Sequence, residues 1–446
     1  VNEPLEGNFE GIGIEFHIQE DTIMVVAAIP GGPSEQLGIR AGDRIIKVDG
    51  NNVANIGITN SKVMKLLRGE GGTKVKVTVF RRTAARSYDF TIERGKIPIH
   101  SVEVGYMINR TTGYVRISHF AENTYPEFLE AYRKLKEQGM KKMILDLRGN
   151  PGGYLKSAIE IADEFLPPGK LIVYTEGHAR PRENFHSTSK GDFIKGDLAV
   201  LIDEGSASAS EIVSGAIQDL DRGVIIGRRS FGKGLVQEQS EFPDGSAVRL
   251  TVARYYTPTG RCIQKPYEDD YDAYENEIIR RMQHGELLHS DSIHFPDSLK
   301  YTTPKGKIVY GGGGIMPDIF VPLDTAGISG FYTEVNGLGV INQFAYDYLD
   351  QHRSTLEKYS SFNDFNRNFQ VTNDIYAQLV QSSRKAGVNS NDGVEVARPF
   401  ISNQFKALIA RQLWGNVGFF SVLQTQDKTI QKAIEILSAT KDDLEQ

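Results

Sequence analysis

Two stretches of the chain share one order of elements: an apolar strand, a glycine- and serine-rich loop, and a helix. In the first, residues 142–147 precede the loop Arg148-Gly-Asn-Pro-Gly-Gly153 and a helix that runs to about residue 166. In the second, residues 197–203 precede a Gly-Ser turn and a helix that runs to about residue 220. This order favours a βαβ core with functional loops at the carboxyl ends of its strands. Both loops are therefore candidate functional loops.

Composition restricts the classes of protein to consider. A chain of 446 residues is too long for one ordinary core and indicates about three domains. A net charge of −6 argues against a nucleic-acid binder, and no apolar run approaches the roughly 18 residues that span a bilayer. The lone Cys262 excludes a disulfide framework, and the nine histidines show no metal-ligand spacing, so we predict no metal and no cofactor.

The predicted domains follow changes in sequence pattern. Residues 1–10 are predicted as a tail and residues 11–95 as a β-rich module, with a helix from a cap at Asn60 to Leu67. Residues 96–330 show the α/β pattern, with a charged surface excursion at 264–300. Residues 331–446 are mostly helical in pattern and carry no motif; dimerisation as a homodimer, substrate docking and support of the core remain alternative roles.

Three serines lie where the second strand turns into its helix: Ser206, Ser208 and Ser210. One interpretation is structural, because Ser208 with Glu211 three residues later has the spacing of a capping box. The other is catalytic, because the N–H groups and dipole of a helix N-terminus stabilise developing negative charge. Spacing alone does not say which serine would be the nucleophile.

A lysine in the segment Ser230-Phe-Gly-Lys-Gly-Leu-Val-Gln237 supplies a candidate base. A serine hydroxyl is a poor nucleophile until a base takes its proton. An amine can do so only when neutral, and burial favours the neutral form. The apolar neighbours of Lys233 offer such cover, and Gly232 and Gly234 let the backbone approach closely. A solvated turn lysine is the structural alternative.

Three other patterns are weaker. Residues 227–233 have P-loop spacing, but Gly234 stands where Ser or Thr should hold Mg²⁺ and a strand is predicted next, so nucleotide binding is not expected. Ser187 and Lys190 have S-x-x-K spacing without its partner motifs. A Ser-His-Asp triad stays open, with His119 as its candidate histidine.

Taken together, these motifs resemble the carboxyl-terminal processing proteases, the S41 family of Ser/Lys peptidases with an embedded PDZ domain. The resemblance spans roughly residues 8–325 and includes residues 206–212, 230–237 and the loop 147–153. Residues 255–265 further resemble the Bacteroidetes-type members. The resemblance to this family implies a PDZ module, an α/β serine protease core of the ClpP/crotonase-like type and a helical carboxyl-terminal region.

The resemblance also implies roles for individual residues. Ser208 would be the nucleophile, Lys233 the base, Gln237 the residue that orients the amine, and Asp219 a supporting acid. The implied oxyanion-hole donors are the N–H of Ala209 and that of Gly152 or Gly153, while Glu211 would be a cap or structural acid.

For the PDZ module, the resemblance implies that Gly11, Ile12, Gly13 and Ile14 form the loop that binds a peptide carboxylate. The pocket for the terminal side chain would be lined by Ile12, Ile14, Val63 and Leu67. The alternative is that these residues simply belong to the core of the module, and for Val63 the two interpretations have equal weight.

The predicted function is that of a serine endopeptidase that binds free carboxyl termini of protein or peptide substrates and cleaves upstream. The resemblance implies a periplasmic enzyme, or one anchored facing the periplasm, whose signal or anchor lies outside this sequence. The alternative is a PDZ peptide-binding scaffold with an idle protease site.

Overall fold

The structure, a computed structural model, describes residues 7–244, 246–266, 274 and 276–439. Part of the predicted surface excursion, residues 267–273 and 275, lies outside the described residues. The chain divides into two units, residues 1–99 with 325–426 and residues 100–324 with 427–446. The predicted helical region 331–446 is therefore shared between the two units.

Over the described residues 7–99, the first unit is a β-sheet module with two α-helices. Its strands are β1 Asn8–Gly11, β2 Ile14–Gln19, β3 Thr22–Ala28, β4 Arg44–Val48, β5 Asn51–Asn52, β6 Lys74–Arg81, β7 Arg86–Glu93 and β8 Gly95–Pro98. Its helices are α1 Pro33–Gln36 and α2 Asn60–Leu67. The main sheet has the order β2-β3-β4-β6-β7, so β2 is an edge strand, while β5 pairs with β4 and β1 pairs with β8.

Two local predictions for this module differ from the structure. The cap of α2 is Thr59, whose Oγ1 accepts the Lys62 N–H at 3.3 Å, because Asn60 is already the first helical residue. The predicted tail contains strand β1, in which Asn8 lies opposite Pro98 and Gly11 opposite Gly95.

The second unit is built on a six-stranded sheet of order β20-β15-β14-β11-β10-β9. Its strands and those of two smaller sheets are β9 Val102–Met107, β10 Thr112–Ile117, β11 Lys142–Asp146, β12 Leu171–Glu176, β13 Glu183–His186, β14 Asp197–Ile202, β15 Val224–Gly227, β16 Leu235–Glu241, β17 Ala247–Tyr256, β18 Lys300–Thr302, β19 Ile308–Tyr310 and β20 Ile319–Phe320. Its helices up to residue 324 are α3 Thr124–Glu137, α4 Leu155–Asp163, α5 Ala209–Asp219 and α6 Glu277–Gln283.

The two predicted strand–loop–helix stretches are neighbours in this sheet. Strands β11 and β14 pair in parallel, with Lys142 opposite Asp197 and Asp146 opposite Leu201. Because parallel neighbours end at the same edge, the loops that follow them start side by side. Helices α4 and α5 then bury Ile161 and Val213 in the same core as the strands. The fold thereby brings the two candidate functional loops together.

The carboxyl-terminal part of the first unit is helical and has its own core, which includes Phe344, Leu379 and Phe405. Its helices are α7 Gly330–Gly337, α8 Val340–Leu356, α9 Phe362–Asn368, α10 Asn373–Lys385 and α11 Val394–Leu423. Helix α11 is interrupted at Trp414 and Gly415, whose backbone angles are non-helical. Helix α12, Lys428–Ser438, belongs to the second unit. None of the helices described is long and apolar enough to cross a membrane.

Candidate active site

The structure separates the three serines that spacing leaves equivalent. Ser206 Oγ donates to the Leu147 carbonyl at 2.8 Å and Ser210 Oγ to the Asn150 carbonyl at 2.9 Å, and both side chains are fully buried. Ser208 is only half-buried and immediately precedes α5, with φ +55° and ψ −112°. A non-glycine residue in this region costs on the order of 1–3 kcal/mol, and such strain concentrates at functional sites. Ser206 and Ser210 therefore have structural roles, and Ser208 is the serine of the three that is partly accessible to a substrate.

Glu211 joins the serine turn to the lysine loop. Its buried carboxylate accepts the N–H of Ser208 at 2.8 Å and the N–H of Lys233 at 2.9 Å. It also accepts the Ser230 hydroxyl at 2.5 Å and the Gly232 N–H at 2.7 Å. Burial raises the pKa of Glu211, and these four donors act in the opposite direction by stabilising the carboxylate. Glu211 thus caps α5, as predicted, and also links the serine turn to the lysine loop. No local sequence pattern predicts the second role.

Tyr255 forms a second link between the same two loops. Its hydroxyl lies 3.0 Å from the Ser208 carbonyl oxygen and 2.5 Å from the Lys233 carbonyl oxygen. Burial raises the pKa of Tyr255 well above its usual value, so the hydroxyl stays protonated and can donate. Tyr255 opens the segment 255–265, but no local sequence pattern predicts this contact.

Lys233 is half-buried in the loop between β15 and β16. The flanking glycines permit close packing, as predicted: a methyl group at Gly232 would lie 3.1 Å from the Gly314 nitrogen, and one at Gly234 would lie 2.9 Å from the Gln264 nitrogen. Strand β16 follows, where a P-loop would continue into a helix. Within the described part of the chain, no hydrogen bond joins the Lys233 amine to the Ser208 hydroxyl.

The loop after β11 packs directly on the serine turn. A methyl group at Gly152 would lie 2.6 Å from Ser208 Cβ and 2.9 Å from the Ala209 nitrogen. The Gly152 N–H donates to Asn150 Oδ1 at 2.9 Å. Because the N–H of Gly152 is already engaged, the N–H of Gly153 is the better candidate for the second oxyanion donor. The first candidate donor is the N–H of Ala209, which lies at the start of α5.

Asn150 holds this loop against the serine turn, a role that the sequence analysis did not assign to it. Its carbonyl accepts the Ala207 N–H at 2.9 Å as well as the Ser210 hydroxyl. Its Nδ2 donates to the Ile117 carbonyl at 2.9 Å, and the side chain is fully buried. The Asn in Gly-Asn-Pro-Gly-Gly thereby fixes the distance between the two loops.

Asp219 lies at the end of α5 remote from Ser208. Its carboxylate accepts Arg261 Nε at 3.0 Å, Arg261 Nη2 at 2.6 Å and Thr259 Oγ1 at 2.6 Å. Asp219 and Arg261 are both fully buried. The predicted supporting acid therefore braces the segment after β17 and does not contact either Ser208 or Lys233.

Two further candidates lie apart from the Glu211 and Tyr255 contacts that link the Ser208 turn to the Lys233 loop. Gln237 is exposed on β16 opposite Thr251, and no hydrogen bond joins its amide to the Lys233 amine among the described residues. The Nδ1 of His119 lies 3.0 Å from the neighbouring Ser118 Oγ.

The predicted carboxylate loop lies between β1 and β2 in the first unit. The Ile12 carbonyl accepts the Ser34 N–H at 3.1 Å and the Gly13 carbonyl accepts the Ile29 N–H at 3.0 Å. The N–H groups of Ile12 and Gly13 have no partner within the described residues, and Gly13 has φ +74°. Two successive unpaired N–H groups suit a carboxylate.

The predicted pocket residues are mostly interior. Ile12, Val63 and Leu67 are 2%, 0% and 4% exposed and belong to the module's core, against which the half-buried Ile14 packs. For Val63 this favours the core interpretation.

Comparison with known families finds matches in three segments of the chain. Residues 111–273 match peptidase family S41, residues 24–81 match the PDZ domain, and residues 331–415 match a family of unknown function, DUF8443. The chain is therefore built from an S41 peptidase domain, a PDZ domain and a helical region, which confirms the predicted resemblance and mixed α/β fold class.

Relatives are named as proteases. The chain is 36% identical over 264 residues to the carboxy-terminal processing protease CtpA of Bacillus subtilis (strain 168), covering 59% of this chain and 56% of that protein. It is 38% identical over 266 residues to a Staphylococcus aureus (strain COL) protein named "Probable CtpA-like serine protease", covering 59% of this chain and 52% of that protein. The chain thus spans about half the length of these relatives.

Solved structures are similar at a coarser level. The photosystem II D1 C-terminal processing protease matches at 26% identity and a TM-score of 0.36, over 72% of this chain and 74% of that chain.

Proposed function

We propose that the protein is an extracytoplasmic serine endopeptidase that binds the free carboxyl terminus of a protein substrate and cleaves upstream of it. The observation that carries this proposal is the distinct state of Ser208. It is half-buried and strained at the start of α5, whereas the hydroxyls of Ser206 and Ser210 are fully buried and bonded to carbonyl oxygens.

In the proposed mechanism, Ser208 Oγ attacks the scissile carbonyl while the neutral amine of Lys233 takes its proton. The oxyanion forms next to the N–H groups of Ala209 and Gly153. The lysine then donates the proton to the leaving amine, which separates and leaves the acyl-enzyme. Water attacks the acyl-enzyme with the same lysine as base, which releases the new carboxyl terminus and regenerates Ser208.

The amine and the hydroxyl are not hydrogen-bonded in this structure, although their backbones are tied together through Glu211. We therefore propose that the side chain of Lys233 rotates about its flexible four-carbon stem when substrate binds. Catalytic hydrogen bonds commonly tighten only in the substrate complex. The backbone framework of the site is already assembled.

The PDZ module supplies the proposed recognition of chain ends. A peptide would add as a strand beside the edge strand β2, and its carboxylate would meet the N–H groups of Ile12 and Gly13. Main-chain pairing gives affinity for any extended segment, and the carboxylate contact restricts binding to chain ends.

The missing hydrogen bond between Ser208 and Lys233 also favours a second candidate, a peptide-binding scaffold with an idle protease site. One experiment separates the two: digestion of an unfolded protein with a free or an amidated carboxyl terminus by the full chain and by Ser208→Ala. We expect cleavage that needs both Ser208 and the free carboxylate. Binding of the free terminus without any cleavage would support the scaffold, and absence of both would contradict both candidates.

A further inference from the structure

The helical region packs against the outer face of the PDZ sheet. Met24 and Val26 of β3 are 1% and 8% exposed and form a small apolar cluster with Tyr346 of α8. Ile23 and Val25, their neighbours on the strand, point into the PDZ core. Because side chains alternate along a strand, α8 covers the face of the sheet opposite that core.

The contact continues along this face through polar groups. Arg44 of β4 forms an ion pair with Asp350 of α8 at 3.3 Å, and the side chains of both are at most 13% exposed. Gln19, at the end of β2, donates to Asp347 Oδ1 at 3.3 Å. The helical region therefore holds the sheet at several strands, including the edge strand.

Helix α11 contacts a β-bulge in strand β3. Pairing between β2 and β3 shifts register at this point, since Glu15 lies opposite Ala27 while Phe16 lies opposite Val25. The extra residue is Val26, and its carbonyl accepts Gln412 Nε2 at 3.3 Å. A bulge leaves ladder groups unpaired, and here a side chain of α11 satisfies the bulged residue.

Arg411, the residue before Gln412, reaches the edge strand itself. Its Nη2 lies 2.8 Å from Glu15 Oε2, and the two side chains are 31% and 48% exposed. Ile14, Phe16 and Ile18 pack towards the PDZ core, so Glu15 points to the opposite face of β2, the face covered by the helices. The ion pair thus stands beside the open edge of the sheet.

A peptide paired with β2 would alternate its side chains between these same two faces. If its last side chain points towards the core face and α2, its penultimate side chain points towards Glu15 and Arg411. A guanidinium has five N–H donors, so Arg411 retains donors for an acceptor on the peptide while it compensates the charge of Glu15.

We infer that the helical region forms the second wall of the peptide groove, in which Arg411 and Glu15 together set the preference for the penultimate residue of a bound carboxyl terminus. This inference rests on the proposed function of the PDZ module, and it assigns a role to the region that matches a family of unknown function. An acidic or acceptor side chain at the penultimate position is favoured over a basic one.

The test compares affinities of labelled peptides that differ only at the penultimate residue, Glu or Lys, for the full chain carrying Ser208→Ala. We expect tighter binding of the Glu peptide. Adding Arg411→Ala should lower the affinity for the Glu peptide relative to the Lys peptide, because the charge of Glu15 is then uncompensated. We expect a change of about two- to fivefold, which corresponds to the energy of an exposed ion pair.

Arg398→Ala is the matched control, since Arg398 also lies on α11 but pairs with Glu395 at 3.6 Å. It should leave the ratio unchanged. If Arg411→Ala disturbs folding, Glu15→Gln gives the same test in the opposite direction and should move the ratio towards glutamate.

The outcomes are separable. A ratio unaffected by both Arg411→Ala and Glu15→Gln, with binding that still needs the free carboxylate, overturns the inference and leaves the proposed function standing. Loss of any dependence on the free carboxylate in the parent chain overturns the proposed function instead.

Discussion

Gly152 lies so close to Ser208 that a methyl group on it would be 2.6 Å from the Ser208 Cβ. The same methyl group would lie 2.8 Å from the Ala207 carbonyl oxygen, and Gly152 has φ +97°, a backbone region that favours glycine. Contact between the loops after β11 and β14 therefore depends on a residue without a side chain.

Gly152→Ala should separate the proposed oxyanion loop from Ser208, the proposed nucleophile. Because removal of one oxyanion donor alone costs about 10²-fold or more in turnover, we expect at least that loss in kcat. Binding of a carboxyl-terminal peptide by the PDZ module should not change. Gly169→Ala is the control, since Gly169 has φ +79° but open space around its Cβ position. Equal activity losses in the two variants would show that backbone strain, and not the contact with Ser208, is responsible.

Glu211→Gln should reduce turnover by about tenfold or more, because an amide cannot accept at both positions where the carboxylate meets its four donors. Burial raises the pKa of Glu211 above its usual value of 4.5. Steady-state kinetics of the variant and the parent at one pH measure the loss of turnover. Turnover by Glu211→Gln equal to that of the parent would contradict this role.

The same raised pKa fixes the sign of a stability effect. The folded chain keeps the Glu211 proton to a higher pH than the unfolded chain, so the free energy of unfolding should decrease as pH rises through this window. Urea unfolding at several pH values should show this slope in the parent and not in Glu211→Gln.

Asp146, at the end of β11, should give a stability effect of the opposite sign. Burial by itself raises the pKa of Asp146, but Arg148 and Arg116 beside it outweigh burial and hold that pKa well below its usual value of 3.8. The stabilisation is complete above the unfolded-state pKa and is lost as pH falls towards the folded-state pKa. Asp146→Asn should cost about 3–5 kcal/mol near neutral pH, and less near pH 3, in urea unfolding. An equal cost at both pH values would contradict this assignment.

Asp427 connects helix α12 to the loop after β11, the proposed oxyanion loop. It caps α12 by accepting the N–H groups of Thr429 and Ile430, each at 3.0 Å, and its Oδ2 also lies 2.9 Å from Arg148 Nη2. Asp427→Asn should retain the cap but weaken the ion pair, so we expect kcat to fall about three- to tenfold with peptide affinity unchanged. Lys428→Ala, which breaks only the partly exposed pair with Asp324, is the control. A change in KM alone would show that Asp427 does not position the loop.

The sequence predicts the elements and the chemistry better than it predicts the contacts. The βαβ order, helix α2 and the structural role of Glu211 all follow from local patterns, because hydrophobic periodicity and capping act over a few residues. Assignment of Ser208 among three serines needed the family resemblance, since only the fold shows that Leu147 and Asn150 engage its neighbours.

Contacts between distant segments explain what the sequence does not show. Tyr255 reaches Ser208 across 47 positions, and Arg411 reaches Glu15 across 396. Neither contact has a spacing rule, because both depend on how separately folded elements pack. Asp219 illustrates the reverse case: a conspicuous acid near the nucleophile in sequence is buried against Arg261 at the other end of its helix.

The rate of peptide-bond hydrolysis by Lys233→Met, compared with the parent chain across neutral to alkaline pH, tests the proposed mechanism most directly. Methionine keeps most of the length of the side chain without its amine. The parent's rate should rise with pH, because the neutral amine is the base, and the variant should show no turnover while still binding carboxyl-terminal peptides. Turnover by Lys233→Met comparable to that of the parent would contradict a serine–lysine mechanism.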